Sequence, residues 1–337
     1  MLEAFYATER GSLEDATING GFDLHPELVW VDLIAPSQEE QQWVYDAYQQ
    51  NLPTLKSLED ISSSARFYRD DDGILHISTY FLTKNKNYQV DTDPEDTSNM
   101  LATVQTVAFI LHKERLFTLR GEKLVAFRAF RARARRNDYD LDYKDPVWLL
   151  LGLLEAKLDE LADILEDIHK DLELYSTEVL NNRHREQMLD LDDMITRLAQ
   201  KEDMLGKAQL CLIDLRRVLT FLSRPRALGS HIYDADIREL SEDVRSLVEH
   251  DAFLFQKVRF LLDTTSGFIN TEQNDTIRRF SILPSMLAPP MLVASIYGMN
   301  TEILPFAHGA TSFFVVISIL VFFFIGPLVY FRWKKWI

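Results

Sequence analysis

The chain has a single cysteine, Cys211, in 337 residues. No intramolecular disulfide can form, which suits a reducing compartment. Histidine is sparse and scattered. His25, His76, His112, His169, His184, His231, His250 and His308 form no cysteine–histidine cluster and no H-E-x-x-H motif, and each reads as a surface or core residue rather than a ligand. There is no G-x-x-x-x-G-K-[ST] loop, which excludes ATP drive of that type. Basic residues are in deficit, 36 Lys+Arg against 52 Asp+Glu, giving a formal net charge of -16. That argues against nucleic acid as a partner, because neutralising phosphates needs a basic face. It is compatible with binding divalent cations, but a solvated acidic surface is the commoner cause. The opening stretch MLEAFYATERGSLEDATING lacks the basic and apolar regions of a signal peptide, so the large N-terminal part is expected in the cytoplasm.

What the chain does have is two uncharged apolar runs, Ser281–Asn300 (SILPSMLAPPMLVASIYGMN) and Ser312–Phe331 (SFFVVISILVFFFIGPLVYF). Each has roughly the 20 residues an α-helix needs to cross hydrocarbon. They predict a first transmembrane helix at 281–300, an external loop at 301–311, a second transmembrane helix at 312–331 and a basic tail at 332–337. Arg278 and Arg279 precede the first span, and Arg332, Lys334 and Lys335 follow the second, while the loop has no Lys or Arg. The positive-inside rule then places both ends in the cytoplasm of an inner (plasma) membrane protein.

The two spans differ in kind. The second is rich in Phe, Val, Ile and Leu and suits a lipid-facing surface. The first carries Ser281, Ser285, Ala288, Ala294, Ser295 and Gly298, with prolines at 284, 289 and 290. Small and hydroxyl residues mark helix contact or a water-lined wall, and prolines free carbonyls that neighbours or water must satisfy. The first span is therefore inner. One chain supplies one inner helix, so a pore requires a symmetric oligomer; a tightly packed, kinked helix dimer is the competing reading. With no charge in either span, such a pore cannot strip the tightly held waters from Mg²⁺. A ring of amide oxygens from Asn300 could instead accept hydrogen bonds from those waters, selecting by size and dipole arrangement.

Upstream, residues 1–145 read as an α/β domain. Leu28–Ile34, Ile74–Leu82, Thr103–Leu111 and Arg115–Leu119 are strand-like, with a turn at Lys113 and Glu114. Ser37–Gln50 is predicted helical, with Ser37 and Glu40 at capping-box spacing. Asp70, Asp71 and Asp72 before Gly73 allow a metal reading, but a solvated hairpin turn is favoured. The arginines of Leu124–Asn137 predict a basic helix set against acidic helices downstream. From Pro146 the period changes. Leu151, Leu154, Leu158, Leu161, Leu165, Ile168, Leu172 and Tyr175 form a heptad seam, and Met188–Leu222 carries a second apolar stripe. Residues 146–230 thus predict an antiparallel helical hairpin joined near Asn181 and Asn182, and broken at Pro225 and Gly229. Residues 231–280 are the cytoplasmic part of a long stalk helix, whose stripe runs through Ile237, Leu240, Val244, Leu247, Leu254, Val258, Leu261 and Thr265.

Tyr297-Gly298-Met299-Asn300 at the outer end of the first span resembles the signature of the CorA magnesium and cobalt transporters, proteobacterial type. The likeness extends to Leu58–Phe67 (LEDISSSARF), Asp70–Gly73, Arg115–Arg120 (RLFTLR), Ala126–Arg128, Leu254–Val258 (LFQKV), Ser266–Phe280, Pro289-Pro290, Leu292–Ser295 and the aromatic–basic ending Arg332–Ile337. It implies an α/β cytoplasmic domain, a long helical coiled-coil stalk and two C-terminal transmembrane helices in a funnel-shaped homopentamer. The implied function is a non-enzymatic, potential-driven channel for Mg²⁺, and also Co²⁺ and Ni²⁺, closed by Mg²⁺ bound between protomers and needing no organic cofactor. Tyr297, Gly298, Met299 and Asn300 map to the selectivity filter, and Asn274, Ile277, Ala288 and Met291 to pore-lining positions.

Two departures stand out. The loop reads Thr301-Glu302-Ile303-Leu304-Pro305-Phe306, leaving Glu302 for external cation capture without the family's acidic residue after the proline. Met291 replaces the family's pore threonine. Asp243, Glu249 and Asp251 are candidate regulatory metal ligands, with solvated helix acids as the alternative. A zinc-transporting branch of the same superfamily, which Met299 argues against, and a membrane-anchored coiled-coil signalling protein without flux are the other readings.

Overall fold

The computed structural model describes residues 1–8, 11–16, 28–59, 66–84, 102–136, 142–181, 191–225, 227–299 and 312–334. They divide into two compact units, Met1–Leu261 and Leu262–Ile337.

The first unit is built on a seven-stranded mixed sheet. The strands are β1 (Leu2–Ala7), β2 (Leu13–Asp15), β3 (Leu28–Ile34), β4 (Phe67–Arg69), β5 (Leu75–Lys84), β6 (Ala102–His112) and β7 (Arg115–Arg120). Their order is β2-β1-β3-β7-β6-β5-β4. β3 and β7 pair in parallel, while the other neighbours are antiparallel. β3 is buried along its whole length, as a strand covered on both faces must be. On one face, Val31, Leu33, Ala108, Ile110, Phe117 and Leu119 pack with Val44 of α1 (Gln38–Tyr48) and Leu58 of α2 (Leu55–Glu59). On the other, Trp30 stacks on Phe5 and meets Phe127 and Phe130 of α3 (Val125–Arg136). The result is an αβα sandwich. β1 and β2 lie outside the expected strands; β1 gains its order by pairing at the free edge of β3, and the three-residue β2 by pairing with β1.

Local signals explain the element ends. Ser37 and Glu40 form the capping box at the start of α1. The acidic run folds as the β4–β5 turn. Asp70 accepts from the Ile74 amide at 2.7 Å and approaches His76 Nε2 at 3.2 Å, and Gly73 supplies the left-handed φ of +81. The arginines of α3 meet acids on both sides: Arg133 pairs with Asp159 at 2.6 Å, while Arg131 and Arg135 reach back to Glu3 and Asp15 of β1 and β2.

α4 (Pro146–Asn181) and α5 (Leu191–Leu222) bury the expected stripes. α4 is tied to the sheet by a polar knot. Fully buried Lys157 donates to Thr79 Oγ1 of β5 at 2.9 Å; Thr79 and the Tyr80 amide both donate to Asp214 of α5, and Arg66 stands 3.6 Å from the same carboxylate. A second knot crosses the parallel pair. Arg120 of β7 grips Asp32 of β3 through Nε at 3.1 Å and Nη2 at 2.6 Å, and Thr118 links Asp32 to the Trp30 indole. α6 (Asp234–Tyr297) runs without interruption through Gly267 and all three prolines.

Asp32 and Arg120 are both fully buried, so removing one partner leaves an uncompensated charge. Asp32→Ala is expected to cost on the order of 3–5 kcal/mol, read as a lowered urea midpoint by circular dichroism of the detergent-solubilised chain. A shift within error would mean the pair is dispensable.

Candidate functional site

In the second unit, α6 reaches Tyr297 and α7 spans Ser312–Trp333. The C-terminal part of α6 and Phe313–Trp333 are each long and apolar enough to cross a bilayer. At about 100° per residue, Asn274, Ile277, Ala288 and Met291 fall within an arc of about 100°. Ser281, Pro284 and Ser295 share it. This arc is open: Ile277 is 63% and Met291 67% exposed. The covered positions, Ile282 at 8% and Met286 at 9%, lie on roughly the opposite side. α7 has its own partly covered stripe, through Val316, Ile319, Leu320, Pro327 and Phe331. Among the described residues of this unit, α7 is the other element that can cover Ile282 and Met286. Its remaining surface, including Phe313, Phe314 and Phe322, is exposed.

Ser281 and Ser285 turn their hydroxyls onto the carbonyls of Ile277 and Ser281, both at 2.7 Å. At the end of α6 the Gly298 amide donates to the Ala294 carbonyl at 2.9 Å, and the Met299 amide to Ile296 at 3.2 Å. A Cβ on Gly298 would come within 3.3 Å of the Ala294 oxygen, so the glycine lets the backbone close tightly just past the helix. The last carbonyls of α6 form the negative end of its dipole, a favourable place for a cation. Tyr297, Gly298 and Met299 stand there; Asn300 and Glu302 lie outside the described residues.

The three acids chosen as regulatory candidates do not converge within one chain. At about 100° per residue, Asp243, Glu249 and Asp251 differ by about 80° or more around α6. Asp243 is exposed and lines a cleft between α4 and α6 with Glu155, Asp159, Asp236 and Glu239. Glu249 is exposed and lies 3.4 Å from Arg245. Asp251 is fully buried, with neither carboxylate oxygen hydrogen-bonded. It fills the place between Leu247 and Leu254 in the apolar stripe, where the heptad expects a hydrophobe. Among the described residues no group of three or more His, Cys, Asp or Glu is arranged to hold a metal ion. The two buried polar knots also escaped the sequence reading, because Lys157–Asp214 and Asp32–Arg120 join residues far apart in the chain.

Burial pushes the Asp251 carboxyl up from 3.8 to about 6. A carboxyl raised in the folded state favours folding while it is protonated. That contribution is lost as pH climbs from the unfolded value through the folded one. Between about pH 4 and about pH 7, the wild-type chain should therefore lose up to about 3 kcal/mol relative to Asp251→Asn, read as diverging thermal midpoints. Parallel pH profiles would show that Asp251 is ion-paired or hydrated.

The family model of CorA-like Mg²⁺ transporter proteins matches residues 26–335. The magnesium transport protein CorA of Mannheimia succiniciproducens is 38% identical over 311 residues, covering 92% of each chain. That of Pectobacterium atrosepticum is 39% identical over 309 residues, again covering 92% of each. The complete CorA magnesium transporter of Methanocaldococcus jannaschii superposes with a TM-score of 0.76 at 18% identity, covering 100% of this chain and 99% of that one. With a family match across nearly the whole chain and relatives well over a third identical, this chain belongs to the CorA family.

Proposed function

We propose that this chain is a membrane transporter that carries Mg²⁺ down the membrane potential, and that it acts as a homopentamer. The observation that carries the reading is the arc of α6 through Asn274, Ile277, Ser281, Ala288, Met291 and Ser295, open in the single chain and uncharged through its apolar part. Such an arc needs copies of itself, or water, in front of it. Relatives named as magnesium transport proteins supply the cargo. In the proposed assembly the first spans line the pathway, and α7 turns its phenylalanines to lipid.

Mg²⁺ gives up its waters reluctantly, and an uncharged wall offers nothing to replace them. The ion passes hydrated, and recognition falls on the waters. Asn300 amide oxygens, ringed around the pathway beside the negative ends of the α6 dipoles, would accept hydrogen bonds from that hydration shell. Glu302 would gather cations outside. The inward passage of a divalent ion gains about 4.6 kcal/mol per 100 mV, so no nucleotide is needed. Co²⁺ and Ni²⁺, with similar hydrated shells, are the accompanying cargo. N- and C-terminal ends face the cytoplasm of a plasma (inner) membrane, following the Arg278, Arg279, Arg332 and Lys334 flanks.

The gate is assigned to cytoplasmic Mg²⁺. Of the three candidate acids, Asp243 has the most suitable setting, since it shares its cleft with Asp236 and Glu239 and a cation there would ease the repulsion between neighbouring carboxylates. Glu249 and Asp251 belong to the proposal only if a neighbouring protomer completes their surroundings.

Two measurements test this. Purified protein in liposomes at an inside-negative potential should take up Mg²⁺ when internal Mg²⁺ is low, and Asn300→Ala should reduce the flux by about an order of magnitude or more. Wild-type flux in that variant would remove the Asn300 ring. Separately, neutralising Asp243, Glu249 and Asp251 together should abolish Mg²⁺-dependent protection against protease; unchanged protection places the regulatory acids elsewhere.

A further inference from the structure

Two histidines, absorbed neither by the pathway nor by the gate, meet where α4 packs beside α6. His169 Nδ1 stands 3.2 Å from His250 Nε2, with the rings 5.5 Å apart and tilted by 53°. Both are half-buried. On the far side of the His169 ring, Glu173 Oε1 lies 3.7 Å from Nε2, one helical turn along α4. Lys257 of α6 pairs with the same carboxylate and fixes it in place. Phe253 of α6 stands beside the pair, its ring 6.2 Å from that of His169.

We propose that His169 Nδ1 and His250 Nε2 are the two protein ligands of a transition-metal site, one that takes a borderline divalent ion such as Zn²⁺, Co²⁺ or Ni²⁺ and rejects Mg²⁺. The separation fits: two imidazole nitrogens at 2.0–2.1 Å from a tetrahedral ion are about 3.3 Å apart, which the pair already shows within about 0.1 Å. The tautomer also fits. Glu173, 3.7 Å away on the Nε2 side and paired with Lys257, is too far to hydrogen-bond, but its charge favours the proton on Nε2 and leaves the Nδ1 lone pair for an ion. Imidazole suits borderline ions, whereas Mg²⁺ takes oxygen ligands. Water completes the coordination on the open side. The two ligands come from different helices, so a bound ion cross-links α4 to α6 beside the seam where Asp251 is buried. The site is independent of the proposed transport pathway, and its test involves no flux.

Full-length protein in detergent, stripped with a chelator, is equilibrated with Zn²⁺ in the presence of a large excess of Mg²⁺ and analysed for bound metal. The wild-type chain should retain about one Zn²⁺ that His169→Ala and His250→Ala lose. Glu173→Gln should weaken its binding by about tenfold or more. Bound Co²⁺ should show the intense visible bands of a low-coordinate site, absent from both histidine variants. In the unmodified chain, Zn²⁺ but not Mg²⁺ should protect His169 and His250 from carbethoxylation, which keeps the test valid if a variant folds poorly. Equal Zn²⁺ retention by the histidine variants, no retention against Mg²⁺, or no protection of the two imidazoles would each overturn the site.

Discussion

Within hydrocarbon, a backbone carbonyl that loses its own helix's N–H has no water to turn to, and each one left bare costs several kcal/mol. α6 meets this constraint three times. Pro284, Pro289 and Pro290 carry no N–H, so the carbonyls of Phe280, Ser285 and Met286 lose their ladder donors. The nearby hydroxyls do not repair the loss, because Ser281 and Ser285 are spent on the carbonyls of Ile277 and Ser281. α7 has one such gap, at Pro327, on its partly covered stripe. A helix with this many freed acceptors is poorly suited to full lipid exposure. It is better suited to facing water or the polar atoms of another copy, and that asymmetry between two otherwise similar apolar helices supports the inner role proposed for α6.

The first unit meets a related constraint with charge. Its sheet has one parallel pair, β3 with β7, and no hairpin turn fixes the register there. Asp32 stands opposite Thr118 in that register and takes both prongs of Arg120, two residues further along β7 on the same face. A slip by one residue would turn Asp32 into the apolar layer of Val44 and Leu58 and leave Arg120 buried alone, so the pair sets a penalty on every neighbouring register. Lys157 and Asp214 act likewise between layers. They contribute little net free energy against a hydrophobic replacement of the same volume. They do demand that Thr79, α4 and α5 meet in one way, which apolar packing alone leaves looser.

Periodicity carried most of the fold. β3, β7 and the Ser37 cap stand where short apolar runs and capping placed them, and α4, α5 and α6 follow their seams because burying a stripe is a local rule repeated along the chain. Legibility ended where a fact depends on two distant residues. His169 and His250 are 81 positions apart, and each alone reads as an ordinary helix residue. Asp251 shows the opposite error. Its acidic character suggested solvent or metal, but the heptad step from Leu247 to Leu254 passes through it, and that period outweighed its polarity in deciding where the side chain lies. For the pathway, the residue types of α6 were legible from composition, and which of its faces stays open required α7 to be in place.

Softness separates the two proposed metal environments. The open arc of α6 offers backbone and hydroxyl oxygen, and at Met291 a thioether, which is a weak hydrogen-bond acceptor. A hydrated ion at the Met291 level in the proposed pathway meets a ring that can touch its waters but hardly hold them, so that level favours passage over binding. In that proposal, recognition is left to stronger acceptors, for which the Asn300 amides are the candidates. Amide acceptors of that kind would read hydrated size and charge, which Mg²⁺, Co²⁺ and Ni²⁺ share closely. A protein that admits ions by their hydration shells cannot separate hard from borderline cations at its pathway, and must do so, if at all, where the shell is shed. The imidazole pair of His169 and His250 is a place on this chain with the ligand chemistry to make that distinction.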